Sequence, residues 1–502
     1  MGSTLGSYEI GRSGLNVSER SLYVTGHNIA NVNTAGYTRQ QAMLAEKVYR
    51  SQDQRLYQIG YGADVEETRQ IRHIFLDNIY RKENMTLGYW ETRNKSVQDV
   101  QNILGEPMGA GLQDVLNKFW DSWQELSKDP SNMSIRANVR QCGQDLADQV
   151  NHLGTQLDAL QDNLNLEISN NIKEINDITR QIAGLNKEIS IDEVNGDRAN
   201  DYRDQRNALV DRLSKLADVN VNEMNDGQLT VTLGGYILVN KGESTAIYGG
   251  TNPSTGPFIV PKFCDNNVDV PLKNGILKGL IDARGNGYQI SSTSGNSAIT
   301  NGNASVTDLK QMLNDLVTSI VEQVNKVHNS GTTLSGNPGG NFFAPIRSGP
   351  QIAETYPVTP THGTWLGNLK LNDNLTDLAN VVASTGTAVG DNTVALQIAN
   401  LRNDDNIMQD GTGGVLSIDR FYQSIIRSVG ISGSEAQNVL ENQQKLVQSA
   451  DGKRQAISGV SMDEEMSNMM KFQFAYGASS RVINVIDQMV DTMVNKMGLV
   501  GR

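Results

Sequence analysis

The segment SGLNVSERSLYVTGHNIANVNTAGYTR, residues 13–39, decides the fold that we predict for this chain. In and just before it, apolar residues recur every seven positions, at Tyr8, Leu15, Leu22 and Ile29. The positions three further on are small, so the spacing predicts a helix with a narrow apolar stripe that a second helix can approach closely. Asn31 and Gly36 favour a turn, and we expect the chain to leave it through Tyr37 in an extended conformation.

A second helix of strong periodicity is predicted at the other end of the chain. Its first heptad position holds Met462, Met469, Tyr476, Ile483, Val490 and Met497, and its second includes Phe472, Ile486 and Met493. Ser461 and Glu464 have the spacing of a capping box that starts this helix. No local element can cover such a seam, so we predict that these residues and those of the first segment form a subunit interface, with the two terminal helices paired.

The middle of the chain begins with a long helical pattern. Leu and Ile residues recur at steps of three and four over residues 134–189 without a proline, which predicts a single helix about 80 Å long. The segment NDYRDQRNALVDRLSKL, residues 200–216, restarts a helix, and we interpret its Asp and Arg residues as surface ion pairs. Residues 417–451 return to helical spacing, with a predicted break at residues 430–433.

Between these helices the pattern favours strands. Residues 229–239 alternate apolar and polar positions about Gly234 and Gly235, which is typical of a hairpin. The rest, to about Gly414, is rich in Gly, Ser, Thr and Asn, with short apolar pieces such as residues 276–281. We expect strands and loops here, interrupted by one helix over residues 305–328. The aromatic residues Phe119, Trp120 and Trp123 are interpreted as core packing.

The predicted fold class is α+β, in an elongated multidomain protein whose domains are discontinuous in sequence. Residues 1–40 and 460–502 would form a terminal coiled-coil domain. Residues 41–216 and 415–459 would form a long-helix bundle, and residues 217–414 an outer β-rich domain.

Composition argues against several functional classes. The 502 residues carry a formal net charge of −13, which disfavours nucleic acid as a partner. No apolar run reaches membrane-spanning length, and the two cysteines, Cys142 and Cys264, encode neither a disulfide framework nor a cysteine zinc site. The five histidines, including His328 and His362, are dispersed, and no catalytic or phosphate-binding motif occurs. We therefore expect no enzymatic activity, cofactor, metal or membrane insertion.

Both ends of the chain resemble the axial proteins of the bacterial flagellum, the rod, hook and hook-associated proteins. In these a terminal helix ends in an Asn-rich loop before Gly-Tyr, as at residues 31–37, although Ala35 stands where many relatives have proline. The middle resembles one family in particular, that of flagellar hook-associated protein 1. The carrying segments are residues 200–216, NKVHNSG before SGNPGGNFF at residues 325–343, and GDNTVALQIANLRND at residues 390–404.

The resemblance implies a structural component of the junction between hook and filament, required for filament assembly. It implies self-association in a ring, with the hook protein, a second hook-filament junction protein and a flagellar export chaperone as partners. The location would be extracellular, in the flagellum, reached by type III export without a cleaved signal peptide. Another axial protein of the hook or rod type, or a secreted coiled-coil adhesin, remains the alternative.

Overall fold

A computed structural model describes residues 2–47, 50–51, 58–60, 62–105, 111–196, 198–224, 226–251, 258–285, 305–344, 366–386, 388, 390–409 and 414–496. The chain forms two compact units, each assembled from separate segments. Unit 1 comprises Met1–Thr86, Glu174–Ala246 and Gln443–Arg502, and unit 2 comprises Leu87–Lys173 and Ile247–Asn442. The three-part division drawn from the sequence groups the residues differently and stays a prediction.

Helices predominate, and the strands pair in antiparallel fashion, which confirms the α+β class. The helices are α1 (Gly2–Ala30), α2 (Ile74–Leu104), α3 (Leu112–Lys128), α4 (Met133–Asp192), α5 (Asn200–Leu216), α6 (Ile276–Arg284), α7 (Val306–Asn329), α8 (Thr393–Asn400), α9 (Ile418–Ser458) and α10 (Met462–Asp491). The strands are β1 (Gln40–Glu46), β2 (Arg50–Ser51), β3 (Gln58–Ile59), β4 (Ala63–Gln70), β5 (Val219–Glu223), β6 (Leu229–Leu233), β7 (Tyr236–Asn240), β8 (Glu243–Ser244), β9 (Ile247–Thr251), β10 (Ile259–Phe263), β11 (Met408–Gln409) and β12 (Val415–Leu416).

The long helical pattern is confirmed as one helix, α4, of 60 residues. By contrast, the break predicted at residues 430–433 is wrong, because α9 runs through it without interruption. Gly433 serves packing there: a Cβ at this position would lie 2.5 Å from Nε2 of Gln101 in α2. A glycine inside a helix therefore marked a close approach to a neighbour and not an end.

The predicted hairpin is also confirmed. Strands β6 and β7 pair about the turn with Val231 opposite Val239, in a sheet of order β5-β6-β7-β8. The prediction of a single helix in residues 217–414 is wrong, because α6 and α8 are helices as well as α7. Leu277, Leu280 and Ala283 of α6 are buried at three-residue spacing, which puts one apolar face of a short helix into the core.

An aromatic cluster lies in the core of unit 2, as the sequence predicted for α3. Phe119, Trp120 and Trp123 are buried, and the Trp123 ring centroid lies 5.3 Å from that of Phe342. His328 of α7 is fully buried against the same rings. Its Nε2 accepts a hydrogen bond from Val382 N at 3.0 Å, while Nδ1 donates to the Gly340 carbonyl, so the ring is neutral. Burial lowers the pKa of His328 to about 4.

Acid should therefore destabilise unit 2 through His328. Below pH ~6.5 the His328 side chain binds a proton in the unfolded chain, whereas in the folded chain it does so only near its pKa of about 4. The free energy of unfolding therefore falls by up to about 3 kcal/mol as the pH drops between these two values. His328→Gln should lower stability at pH 7 but flatten this slope, whereas His73→Gln, at an exposed position of unit 1, should leave it unchanged.

Tryptophan fluorescence during urea unfolding reads this out, because Trp90, Trp120, Trp123 and Trp365 all fall in the segments of unit 2. An unaltered acid slope in the His328 variant would refute the assignment.

Candidate assembly interface

The first and last helices pack against each other in antiparallel fashion within unit 1. A Cβ added at Gly11 would lie 2.9 Å from Cγ1 of Ile483, and one at Gly14 would lie 2.6 Å from Oγ of Ser479. Farther along, Asn28 Nδ2 donates to Glu465 Oε2 at 3.1 Å. The small positions of α1 thus admit close approach of α10, in the way that the sequence predicted.

The buried face of α1 is rotated from the predicted stripe toward these small residues. Val17, Val24 and Thr25 are buried. The predicted positions are half-buried at Leu15, Leu22 and Ile29, and Tyr8 is 44% exposed. Strands β1 and β4 pack against α1, and so does α10. The strands and α10 therefore share the buried side of α1, and the larger apolar residues of α1 lie at the edge of that side. In the turn, Asn31 and Tyr37 are half-buried, and Gly36 is exposed with φ of +81°.

On α10 the predicted heptad faces α1 along its middle. Ile486 is buried, and Met469, Phe472 and Ile483 are half-buried. The remaining described members of the set are exposed: Met462, Tyr476, Val490 and Met493. Met497 lies outside the described residues. Whether any of these residues also contacts another subunit stays a prediction.

A second apolar stripe on α10 was missed by the sequence analysis. Successive residues 100° apart on a helix put Met470, Phe474, Val485 and Met489 on one side, away from the face that holds Ile483. Val482 lies at the edge of this stripe, where its Cγ1 would be 3.6 Å from a Cβ on Gly11 of α1. All five are exposed, Phe474 at 79%. Their steps of four, eight, three and four could have identified this outward stripe, but the heptad pattern on the opposite face was stronger.

The turn after α1 is held by a polar cluster consisting of Asn28, Tyr37, Arg39, Gln40 and Glu465, here called the Asn28 cluster. Asn28 is 1% exposed. Its Oδ1 accepts from Tyr37 OH at 2.8 Å and from Gln40 N at 2.9 Å, while Nδ2 donates to Gln40 O at 2.9 Å and to Glu465. Burial, followed by nearby carboxylates, raises the pKa of Tyr37, which keeps its hydroxyl protonated as the donor.

Arg39 completes the cluster and corrects one prediction. Its Nε donates to Glu465 Oε1 and its Nη1 to Glu464 Oε2, both at 2.8 Å. The side chain of Ser461 makes no capping hydrogen bond at the start of α10, so the predicted capping box is wrong. The Glu464 carboxylate binds the Arg39 guanidinium because an ion pair replaces the weaker bond to a backbone amide. Sequence spacing alone could not show that competitor.

The charges of α5 are a second correction, because Arg203, Asp204 and Arg206 are buried and do not form surface pairs along the helix. Arg203 Nη2 binds Glu193 Oε2 at 2.8 Å. Arg206 Nη1 donates to Asn186 Oδ1 at 2.9 Å and to the Gly227 carbonyl at 2.8 Å. Each charge thus finds its partner on a different segment of unit 1.

Asp204 connects α5 to the turn. Its Oδ2 accepts from Thr38 N at 3.0 Å, whereas Oδ1 is buried without a hydrogen-bond partner in the described part of the chain and lies 3.8 Å from Arg72 Nη1. Burial raises the pKa of Asp204 to about 6, because desolvation outweighs the bonds to Thr38.

Among the described residues, no group of three or more His, Cys, Asp or Glu side chains could hold a metal ion. Nor does any described helix combine the length and apolarity needed to cross a membrane.

Two family models match the chain. Residues 97–343 match the model described as flagellar hook-associated protein FlgK helical domain, and residues 454–497 match that of the flagellar basal body rod FlgEFG protein C-terminal region. Flagellar hook-associated protein 1 of Bacillus subtilis (strain 168) is 31% identical over 100% of both chains. The protein of the same name from Salmonella typhimurium is 23% identical over 96% of this chain and 98% of its own length.

A solved structure shares the fold. The flagellar hook junction protein FlgK from Burkholderia pseudomallei superposes with a TM-score of 0.60 over 77% of this chain and 100% of its own, at 16% identity.

Replacing Asn28 by alanine should loosen the terminal helices. The change leaves the Gln40 amide and carbonyl and part of the Glu465 carboxylate without their partner, at a cost of about 3 kcal/mol. Hydrogen exchange followed by mass spectrometry should show faster exchange in residues 28–40 and 461–468. Asn16→Ala, at an exposed position of the same helix, is the matched control, and equal exchange in both variants would count against the cluster's role.

Asp204 should make unit 1 less stable as pH rises. Its folded pKa of about 6 lies above the value near 3.9 of an unfolded aspartate, so its contribution is complete below pH ~4 and is lost as pH rises through 6, by up to about 3 kcal/mol. Asp204→Asn should remove this loss while keeping an acceptor for Thr38.

Exchange of residues 34–40 at several pH values, corrected for intrinsic rates, measures the effect, and Asp463→Asn at an exposed site is the control. The same pH dependence in wild type and Asp204→Asn would contradict it.

Proposed function

The chain belongs to the flagellar hook-associated protein 1 family, and we propose that it polymerises through the pair formed by α1 and α10. As a member it is a structural component of the bacterial flagellum, a hook-associated protein of the hook-filament junction. One observation carries the proposal: the α10 helix buries one face on α1 while its other face exposes large apolar side chains along most of its length. Contiguous exposed apolar surface of this kind marks protein interaction sites.

The exposed members of the predicted set are the proposed subunit contacts. Tyr8, Met462, Tyr476, Val490 and Met493 each expose 41% or more of their surface. The half-buried members hold the two helices together and would support the interface indirectly. Methionine is frequent in this surface, and its flexible thioether allows packing against neighbours of differing shape.

The partners that we propose follow from the family. Association with hook and filament components belongs to a hook-associated protein, and we infer in more detail a ring of identical copies between the hook protein and a second junction protein. A flagellar export chaperone would cover the C-terminal region before secretion. We also propose an extracellular position in the flagellum and export without a cleaved signal peptide, with no catalytic step in the protein's role.

The proposal predicts a specific loss of filaments. Cells lacking the gene should carry hooks without filaments and release flagellin into the medium. A Gly14→Leu copy should fail to restore filaments, because even a Cβ at Gly14 would meet Ser479 at 2.6 Å and a leucine would force α10 away. A Gly26→Leu copy should restore them, since nothing lies within 4 Å of a Cβ there.

Electron microscopy of filaments, with tryptophan fluorescence of the purified variants to verify unit 2, measures the outcome. Normal filaments in the deletion strain would overturn the assignment to the junction. Equal behaviour of the two glycine variants would count against polymerisation through this helix pair.

A further inference from the structure

We propose that the outward stripe of α10 docks into a groove on unit 1 of a second copy of this chain. The groove runs between α1, β4 and α5, has a volume of 1110 Å³ and is lined in part by Glu19, Tyr23, Val65, Asp192 and Tyr202. This inference rests on the proposed function, since it names the surface that receives the exposed side of the terminal helix pair.

The first observation is the match of apolar surfaces. The outward stripe extends about 28 Å along α10 from Met470 to Met489. Among the apolar and aromatic residues that line the groove, Tyr23 is 74% exposed, and Val65 and Tyr202 are half-buried. Both surfaces belong to one chain, and each has a highly exposed aromatic side chain, Tyr23 on the groove and Phe474, at 79%, on the stripe.

The second observation is charge. Four carboxylates line the groove, those of Glu19, Asp64, Asp192 and Asp201, against two guanidiniums, those of Arg20 and Arg198. Arg198 is already paired with Glu67, at 2.9 Å. Glu19 and Asp192 form no ion pair with any residue that the structure describes. The groove therefore presents an excess of negative charge.

The outward stripe carries the complementary charges. Lys471 and Arg481 lie on the same side of α10 as Phe474 and Val485 by helical spacing, and both are exposed. They too lack an ion-pair partner among the described residues. No carboxylate shares that side between Met470 and Met489, because Asp487, the sole acidic residue there, points away. An acidic groove attracts this stripe, whereas a second α10 offers the same two cations.

The two surfaces are different patches of one chain, so the contact is heterologous. Such contacts repeat from copy to copy and close into rings or continue as helical arrays, according to the rotation between neighbours. The apolar stripe supplies the area, and the charge pairs set the direction in which each copy meets the next. The groove and α10 thereby supply the two halves of one repeating contact.

Cross-linking between two differently marked copies tests the contact. In a Cys142→Ser, Cys264→Ser background, one copy carries Tyr23→Cys and the other Phe474→Cys, both expressed in the same flagellated cells. A short bis-maleimide applied to isolated hooks should yield a dimer of this chain that contains both copies. Leu446→Cys, an exposed position on α9, replaces Phe474→Cys in the control and should yield none.

Charge reversal tests the direction of the contact. Lys471→Glu with Arg481→Glu should lower the cross-linking yield roughly tenfold, the combined effect of two exposed ion pairs. Adding Glu19→Lys and Asp192→Lys on the groove copy should restore it. The inference is overturned if the two marked copies form no cross-linked dimer, or if the Leu446→Cys control gives an equal yield. It is also overturned if the only dimer joins two copies through the Phe474→Cys position.

Immunoblots of the isolated hooks separate this result from the proposed function. If the marked copies are present in hooks but do not cross-link, the docking groove is wrong and the junction role stands. If they are absent from hooks while secreted and folded, the proposed function itself fails.

Discussion

The side chain of Asn28 makes four hydrogen bonds in a site that is almost free of solvent, and the joint between the terminal helices and the rest of unit 1 depends on them. A carboxamide has two donor hydrogens and an oxygen with two lone pairs, so every capacity of this group is used. Its partners come from the turn and from Glu465, 437 residues away in sequence. Buried polar groups of this kind select one register, because any slip leaves several of them unsatisfied.

Buried polar side chains of α5 likewise fix the arrangement of a larger region of unit 1. Asp204 binds Thr38, Asp211 binds both Arg81 and Arg454, and Arg203 binds Glu193. Helix α5 thus fixes the turn, α2, the end of α9 and the residue that follows α4 within one unit. Burying these charges costs desolvation energy, and the raised pKa of Asp204 is a consequence of that cost. These contacts specify the geometry of unit 1, because each ion pair forms only when separate segments of the chain meet correctly.

Local periodicity carried the parts of the fold that the sequence could predict. The 60-residue helix, the hairpin about Gly234 and the apolar seam of α10 each arise from residues close together in the chain. The Asp and Arg residues of α5 have the same spacing whether water or distant partners surround them, so the sequence pattern could not predict that Arg203, Asp204 and Arg206 are buried. The Asn28 cluster was equally hidden, because its members belong to distant segments that meet only in the fold.

The α10 helix has two apolar faces, one packed on α1 and one largely exposed in the described part of the chain. Its heptad face packs on α1 along its middle, where Gly11 and Gly14 permit close contact but contribute little apolar area themselves. In the assembly that we propose, a neighbouring copy would cover the outward stripe. Because helices gain most of their stability from packing, such a contact would also stabilise the helix that makes it. Folding of the ends and polymerisation would then be a single coupled equilibrium.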